Sequence, residues 1–187
     1  MKNPYLYGYL PLITILLFSL TFGMYAVGVS LQLFQSIGVY SGMREFLSDF
    51  ELRIFLLIVF ALIFFMVFSA LKLIGETIHE LGMLFFSKDI DGATMSQARS
   101  GYIVLFLGAT CSAFAIQSLY FLVGIFVVTI IMYFIFVIYK MSNFLSVGGT
   151  VGILIFEVLS WLLLLSLIVY VVLKLYNGIL ASLPFAQ

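Results

Sequence analysis

Only eight basic and eight acidic residues interrupt this 187-residue chain, and the intervals between them decide what it can fold into. No charge occurs from Asn3 to Met43, from Ile54 to Leu71 or from Ser100 to Tyr139, and the stretch Met141 to Leu173 holds Glu157 alone. A helix rises about 1.5 Å per residue, so about 20 apolar residues cross a hydrocarbon core about 30 Å thick. The interval from Ser100 to Tyr139 is long enough for two crossings. The spacing therefore predicts an all-α integral membrane bundle of five transmembrane helices near residues 10–33, 53–73, 100–118, 121–139 and 150–173, in a single transmembrane domain over 1–187. Backbone amides in lipid find partners only in helices or closed barrels, and no set of alternating strands of about ten residues is present.

Composition removes several function classes. The chain is 65% hydrophobic and 9% charged, against about a quarter charged in a soluble domain. With basic and acidic residues in balance, there is no basic surface to neutralise a phosphate backbone, so nucleic acid is not an expected partner. Cys111, the one cysteine, falls in the third expected span, which excludes an intramolecular disulfide and a cysteine-rich metal site. A phosphate-binding glycine loop, paired histidines for haem and a Ser, His and Asp set at membrane depth are all missing from the sequence. The expectation is a protein that is not an enzyme and needs no cofactor or metal, with the lipid bilayer as its surroundings and a homo-oligomer or larger membrane complex as its assembly.

Positive charges near the span ends set the expected orientation. Lys2, Lys72, Lys88, Arg99 and Lys140 fall on one side, and Arg44, Arg53 and Lys174 on the other. This predicts a cytoplasmic amino terminus and an outer carboxyl terminus. Pro4 and Pro11 are placed at the start of the first helix, where a missing N–H is harmless, and Pro184 follows the last. Lys2 precedes an apolar run too long for a cleaved leader, so the first span is read as uncleaved. The outer connection, about residues 35–53, reads as a short interfacial helix and turn, and Gln117 to Tyr120 as the tip of a tight helical hairpin. The second helix is expected to continue to about residue 87 as an amphipathic extension, with Leu71, Ile74, Ile78, Leu81 and Phe85 on one face. Its stop is placed at Lys88-Asp89-Ile90-Asp91-Gly92, whose Asp and Gly residues favour a turn.

Two constellations carry possible chemistry. Glu157 is the one acid well inside an expected span, where a carboxylate costs several kcal/mol unless protonated, paired or hydrated. Ser160 shares its helical face, and Lys140, Tyr139 and Tyr133 on the preceding helix are the nearest partners in sequence. The group is either a proton or cation site with Glu157 titrating, or structural glue between helices, and the sequence favours glue. Lys72, Glu76, His79 and Glu80 form the second group. Glu76, His79 and Glu80 make a weak metal or docking candidate, outweighed by a solvated face with an internal Lys–Glu pair. His79-Glu80 matches the start of the zinc-protease pattern H-E-x-x-H, but its second ligand falls on Met83, which rejects that enzyme class. Small residues four apart, Gly108 with Ser112, Ala109 with Ala113 and Gly148 with Gly152, predict close helix contacts, while Gly38 and Gly42 read as turn residues. Tyr5, Tyr7, Tyr9, Tyr102, Tyr139 and Tyr170 fit an interfacial aromatic belt.

The polar landmarks also carry a family resemblance. Met1-Lys2-Asn3 with Gly8-Tyr9-Leu10-Pro11-Leu12-Ile13, the run Ser69-Ala70-Leu71-Lys72-Leu73-Ile74, the segment Leu84-Phe85-Phe86-Ser87-Lys88-Asp89, and Lys174-Leu175-Tyr176-Asn177 with Ala181-Ser182-Leu183-Pro184 resemble the YufK family. These are small multi-pass membrane proteins of Gram-positive, spore-forming bacteria. The resemblance runs from end to end and implies a bacterial cell membrane, with no catalytic or binding residue to carry over. The sequence as a whole leads to a non-enzymatic accessory, assembly or structural membrane subunit, with a small proton- or cation-coupled transporter, Glu157 its titrating group, as the alternative.

Overall fold

The computed structural model describes residues 4–87, 99–143 and 145–182, and these are helical with no strand among them. The helices are α1 (Pro4–Ser36), α2 (Val39–Phe46), α3 (Asp49–Phe86), α4 (Tyr102–Ser112), α5 (Leu119–Ser142) and α6 (Val147–Ser182), and α4 is flanked by 3-10 turns at Arg99–Gly101 and Ala113–Ala115. Four stretches of the described residues are long and apolar enough to cross a membrane: Gly8–Ser36, Asp49–Phe86, Leu119–Ser142 and Val147–Gly178. The remaining expected span, 100–118, falls on the shorter apolar helix Arg99–Ala115. At 1.5 Å per residue it is about 26 Å long, against a core of about 30 Å. By length and composition four helices are thus able to cross a membrane, and the fifth of the sequence reading rests on this shorter one.

Helix ends differ from expectation in places. Pro11 lies inside α1 and removes one hydrogen bond within that helix instead of sitting harmlessly at its start. The second expected helix is α3, which runs unbroken to Phe86. The sequence leaves the end of the last helix open between Lys174 and Ser182, and α6 continues to Ser182. Lys2, Pro184 and the expected turn at 88–92 lie outside the described residues.

The chain forms two compact units, one from Met1–Gly75 and Asp89–Phe144, the other from Glu76–Lys88 and Leu145–Gln187. In the first, Phe18 and Phe22 of α1 meet Phe64 and Phe68 of α3 and Phe126 of α5. Ring centroids lie 5.1 Å apart for Phe68–Phe126 and 5.9 Å for Phe18–Phe68. Aromatic pairs at such separations add about 0.5–1.5 kcal/mol each beyond the area they bury. The expected small-residue stripe is half used. Gly108 faces the Thr129 side chain so closely that a Cβ would overlap it, and Ala109 and Ser112 are buried, whereas Ala113 is exposed.

The start of α3 is fixed by local chemistry. The Glu51 N–H donates to Ser48 Oγ at 3.3 Å and the Ser48 N–H donates to Glu51 Oε2 at 2.8 Å, a reciprocal cap that satisfies two donors at the helix start. Tyr40 of α2 donates to Asp49, and Arg53 Nε donates to the same carboxylate at 2.9 Å. Gly38 turns the chain into α2 with φ of 76°, a left-handed conformation that a Cβ disfavours, while Gly42 lies within α2 and is no turn residue.

The hydroxyls of Thr21 and Ser112 meet at 3.0 Å, joining α1 to α4 in a buried setting. With one proton on each hydroxyl, one of the two donates across this contact while the other donates within its own helix, Thr21 to the Phe18 carbonyl or Ser112 to the Ala109 carbonyl. Thr21→Val therefore strands no donor, and thermal unfolding in detergent is expected to show a loss of only about 0.6–1 kcal/mol.

Candidate functional site

The second unit contains an antiparallel helix pair, residues 76–86 of α3 against the start of α6, held by glycines and aromatic rings that fit one another. Ser146 caps α6, accepting the Gly149 N–H on its Oγ at 3.1 Å. Beyond the cap, Gly149 and Gly152 leave room for Phe86, whose carbonyl oxygen would lie 2.7 Å from a Cβ at Gly149 and whose ring would overlap a Cβ at Gly152. Gly82 on α3 returns the arrangement. A Cβ there would meet the Phe156 ring at 3.4 Å and Ile153 at 3.7 Å. Phe85 and Phe156 complete the contact with centroids 5.9 Å apart.

This register sets the site. His79 precedes Gly82 by three residues and Glu157 follows Phe156, so the two polar side chains meet one turn further along the pair. His79 Nδ1 and Glu157 Oε1 are 2.6 Å apart. Glu157 is 4% exposed, and the His79 side chain is 15% exposed. Removing a carboxylate from water costs several kcal/mol, recovered only where attraction and hydrogen bonds are good. With Glu157 ionised and the imidazole neutral, Nδ1 carries the proton and donates it to the carboxylate, and Nε2 is a bare lone pair. Nε2 is buried and meets no hydrogen-bond partner among the described residues.

The structure thus brings together one residue from each constellation of the sequence reading. The partner of Glu157 is His79, from 78 residues earlier, and not a residue of the preceding helix. Lys140 belongs to the first unit, where its ammonium stands 5.7 Å from the centroid of the Phe136 ring, and Tyr133 stacks on Tyr102 with centroids 6.1 Å apart. Ser160 is half-buried one turn beyond Glu157 and makes no hydrogen bond with it. The expected solvated face is corrected at His79, which is turned into the helix pair, while Glu80 is exposed and Glu76 half-buried. Among the described residues no three His, Cys, Asp or Glu side chains gather closely enough to hold a metal ion, so Glu76, His79 and Glu80 do not form a three-ligand centre. Both members of the pair stand out in the sequence, but their pairing does not.

The profile of a family of unknown function, DUF5366, matches residues 27–184. The chain is similar to the uncharacterised membrane protein YufK of Bacillus subtilis (strain 168), with 40% identity over 184 residues that cover 98% of this chain and 100% of the relative. No solved structure matches the chain.

Proposed function

The chain belongs to the DUF5366 family of unknown function, and we propose that it is a cation-transport component of a bacterial cell membrane, binding its cation at His79 and Glu157. The observation that supports this reading is a buried carboxylate bonded to an imidazole whose second nitrogen is buried without a hydrogen-bond partner among the described residues. Glue between helices is best made from fully satisfied polar groups, since each buried group left unpaired costs about 1–3 kcal/mol. A pair that keeps one nitrogen lone pair unused, inside a helix otherwise apolar enough to cross a membrane, is suited to receive something positive. Intramembrane ionisable groups mark ion pathways by default.

On this reading the helix Arg99–Ala115 makes a fifth crossing, with the amino terminus in the cytoplasm and the carboxyl terminus outside. The test uses Cys111, the one cysteine of the chain. In a Cys111→Ala background, a Glu157→Cys variant is treated with a charged maleimide added from each side of the membrane. Labelling from one side is expected, because a cation needs a wet route to the site. A control variant, Asp91→Cys, is expected to react only from the cytoplasmic side. If the thiol at 157 stays unreactive from both sides while the control reacts, the transport reading falls.

A second reading, the accessory, assembly or structural subunit, draws support from α6, which is exposed at every residue from Leu165 to Gly178. An apolar helix uncovered on all sides suits lipid or a partner helix equally. On that reading the thiol at 157 is unreactive and the chain copurifies with a second copy or another membrane protein.

A further inference from the structure

Resting on the transport reading, we infer that the cation is cuprous, held between His79 Nε2 and the thioether of Met83. A histidine that ligates a metal through one ring nitrogen almost always gives its other N–H to a carboxylate, which fixes ring orientation and tautomer. His79 has that arrangement already, with Nδ1 2.6 Å from Glu157 Oε1 and Nε2 buried without a hydrogen-bond partner among the described residues. Met83 follows four residues later, half-buried. Side chains four apart share a helix face, and helical Met side chains lean back toward the preceding turn, so a Met83 rotamer that reaches the imidazole completes the proposed pair.

Three considerations select the ion. Zinc sites take at least three protein ligands, and no group of three His, Cys, Asp or Glu side chains gathers among the described residues. Imidazole with thioether is a soft donor set that favours Cu(I), an ion content with two ligands in a line. Charge agrees, since one cuprous ion beside the Glu157 carboxylate makes a neutral unit, whereas a divalent ion leaves a net positive charge in apolar surroundings. Binding at Nε2 displaces no proton, because the ring proton remains on Nδ1 and is donated to Glu157.

The test is a competition for Cu(I), kept reduced with ascorbate, between bicinchoninate and the purified full chain in nanodiscs. The Cys111→Ala background removes the exposed thiol as a rival ligand. One Cu(I) per chain is expected, with X-ray absorption showing one nitrogen and one sulfur neighbour. Met83→Leu, close in volume and free of polar atoms, is expected to weaken binding at least tenfold while leaving thermal unfolding unchanged. Zinc offered in the same assay is expected to remain with its chelator. Equal Cu(I) affinity in the parent and in Met83→Leu, absence of Cu(I) binding, or retention of zinc would each overturn the assignment. The two readings fail separately. A thiol at 157 that labels in a protein that does not bind Cu(I) removes the cuprous assignment alone, whereas Cu(I) binding with an unreactive thiol removes transport and leaves a metal site.

Discussion

A His79→Leu variant is expected to lose about 3–5 kcal/mol of stability, while the double variant His79→Leu with Glu157→Leu comes within about 1 kcal/mol of the parent or exceeds it. The asymmetry follows from the geometry. Glu157 is 4% exposed with His79 as its hydrogen-bond partner, so removing the imidazole leaves a carboxylate that must stay buried without that hydrogen bond or open the helix pair to water. Removing both groups takes away that desolvation cost along with the attraction, and two leucines fill an interface already lined by Phe85, Phe86, Ile153 and Phe156. Thermal unfolding of all four members of the cycle, in one detergent at one pH, measures the coupling. A near-neutral double variant would mean that the pair is not retained for stability, which is the condition a functional pair should meet. A double variant as unstable as the single one would instead show that the two side chains hold the helices together.

The crossing helices were legible because charge is scarce: Arg53 and Lys72, and Lys140 and Lys174, bracket apolar runs that have few alternatives to helices in lipid. The helical hairpin was legible for the same reason, and its tip is where Ser118 adopts an extended conformation. The phenylalanine cluster of the first unit was not. In a helix that is apolar on every side no periodicity distinguishes Phe18, Phe22, Phe64, Phe68 and Phe126 from the other sixteen phenylalanines of twenty-one. The His79–Glu157 pair was hidden by distance along the chain and by company. Beside Lys72, Glu76 and Glu80, His79 looks like one more member of a wet face, although it shares a stripe with Gly82 and Phe86. That stripe, a small residue and an aromatic one at steps of three and four, is repeated on α6 by Gly149, Gly152, Ile153 and Phe156 ahead of Glu157. Matching stripes of this kind were the available signal.

The glycines of α6 give the second large effect. The sequence pairs Gly148 with Gly152, but the structure uses Gly149 and Gly152, and neighbouring positions should respond with opposite sign. Gly149→Ala places a methyl group 2.7 Å from the Phe86 carbonyl oxygen. Backbone cannot rotate aside as a side chain can, so the helices must separate, at an expected cost of about 1–3 kcal/mol. Gly152→Ala meets the Phe86 ring instead, and a companion Phe86→Leu substitution should recover most of its loss while doing nothing for Gly149→Ala. Gly148 has nothing within 4 Å of its would-be Cβ. Gly148→Ala is therefore expected to leave stability unchanged or raise it by up to about 1 kcal/mol, since Ala is the better helix former. The measurement is thermal unfolding of the three single variants and the Gly152→Ala, Phe86→Leu pair. If Gly149→Ala is as stable as Gly148→Ala, the close approach of the two helices is wrong, and with it the register that brings His79 to Glu157.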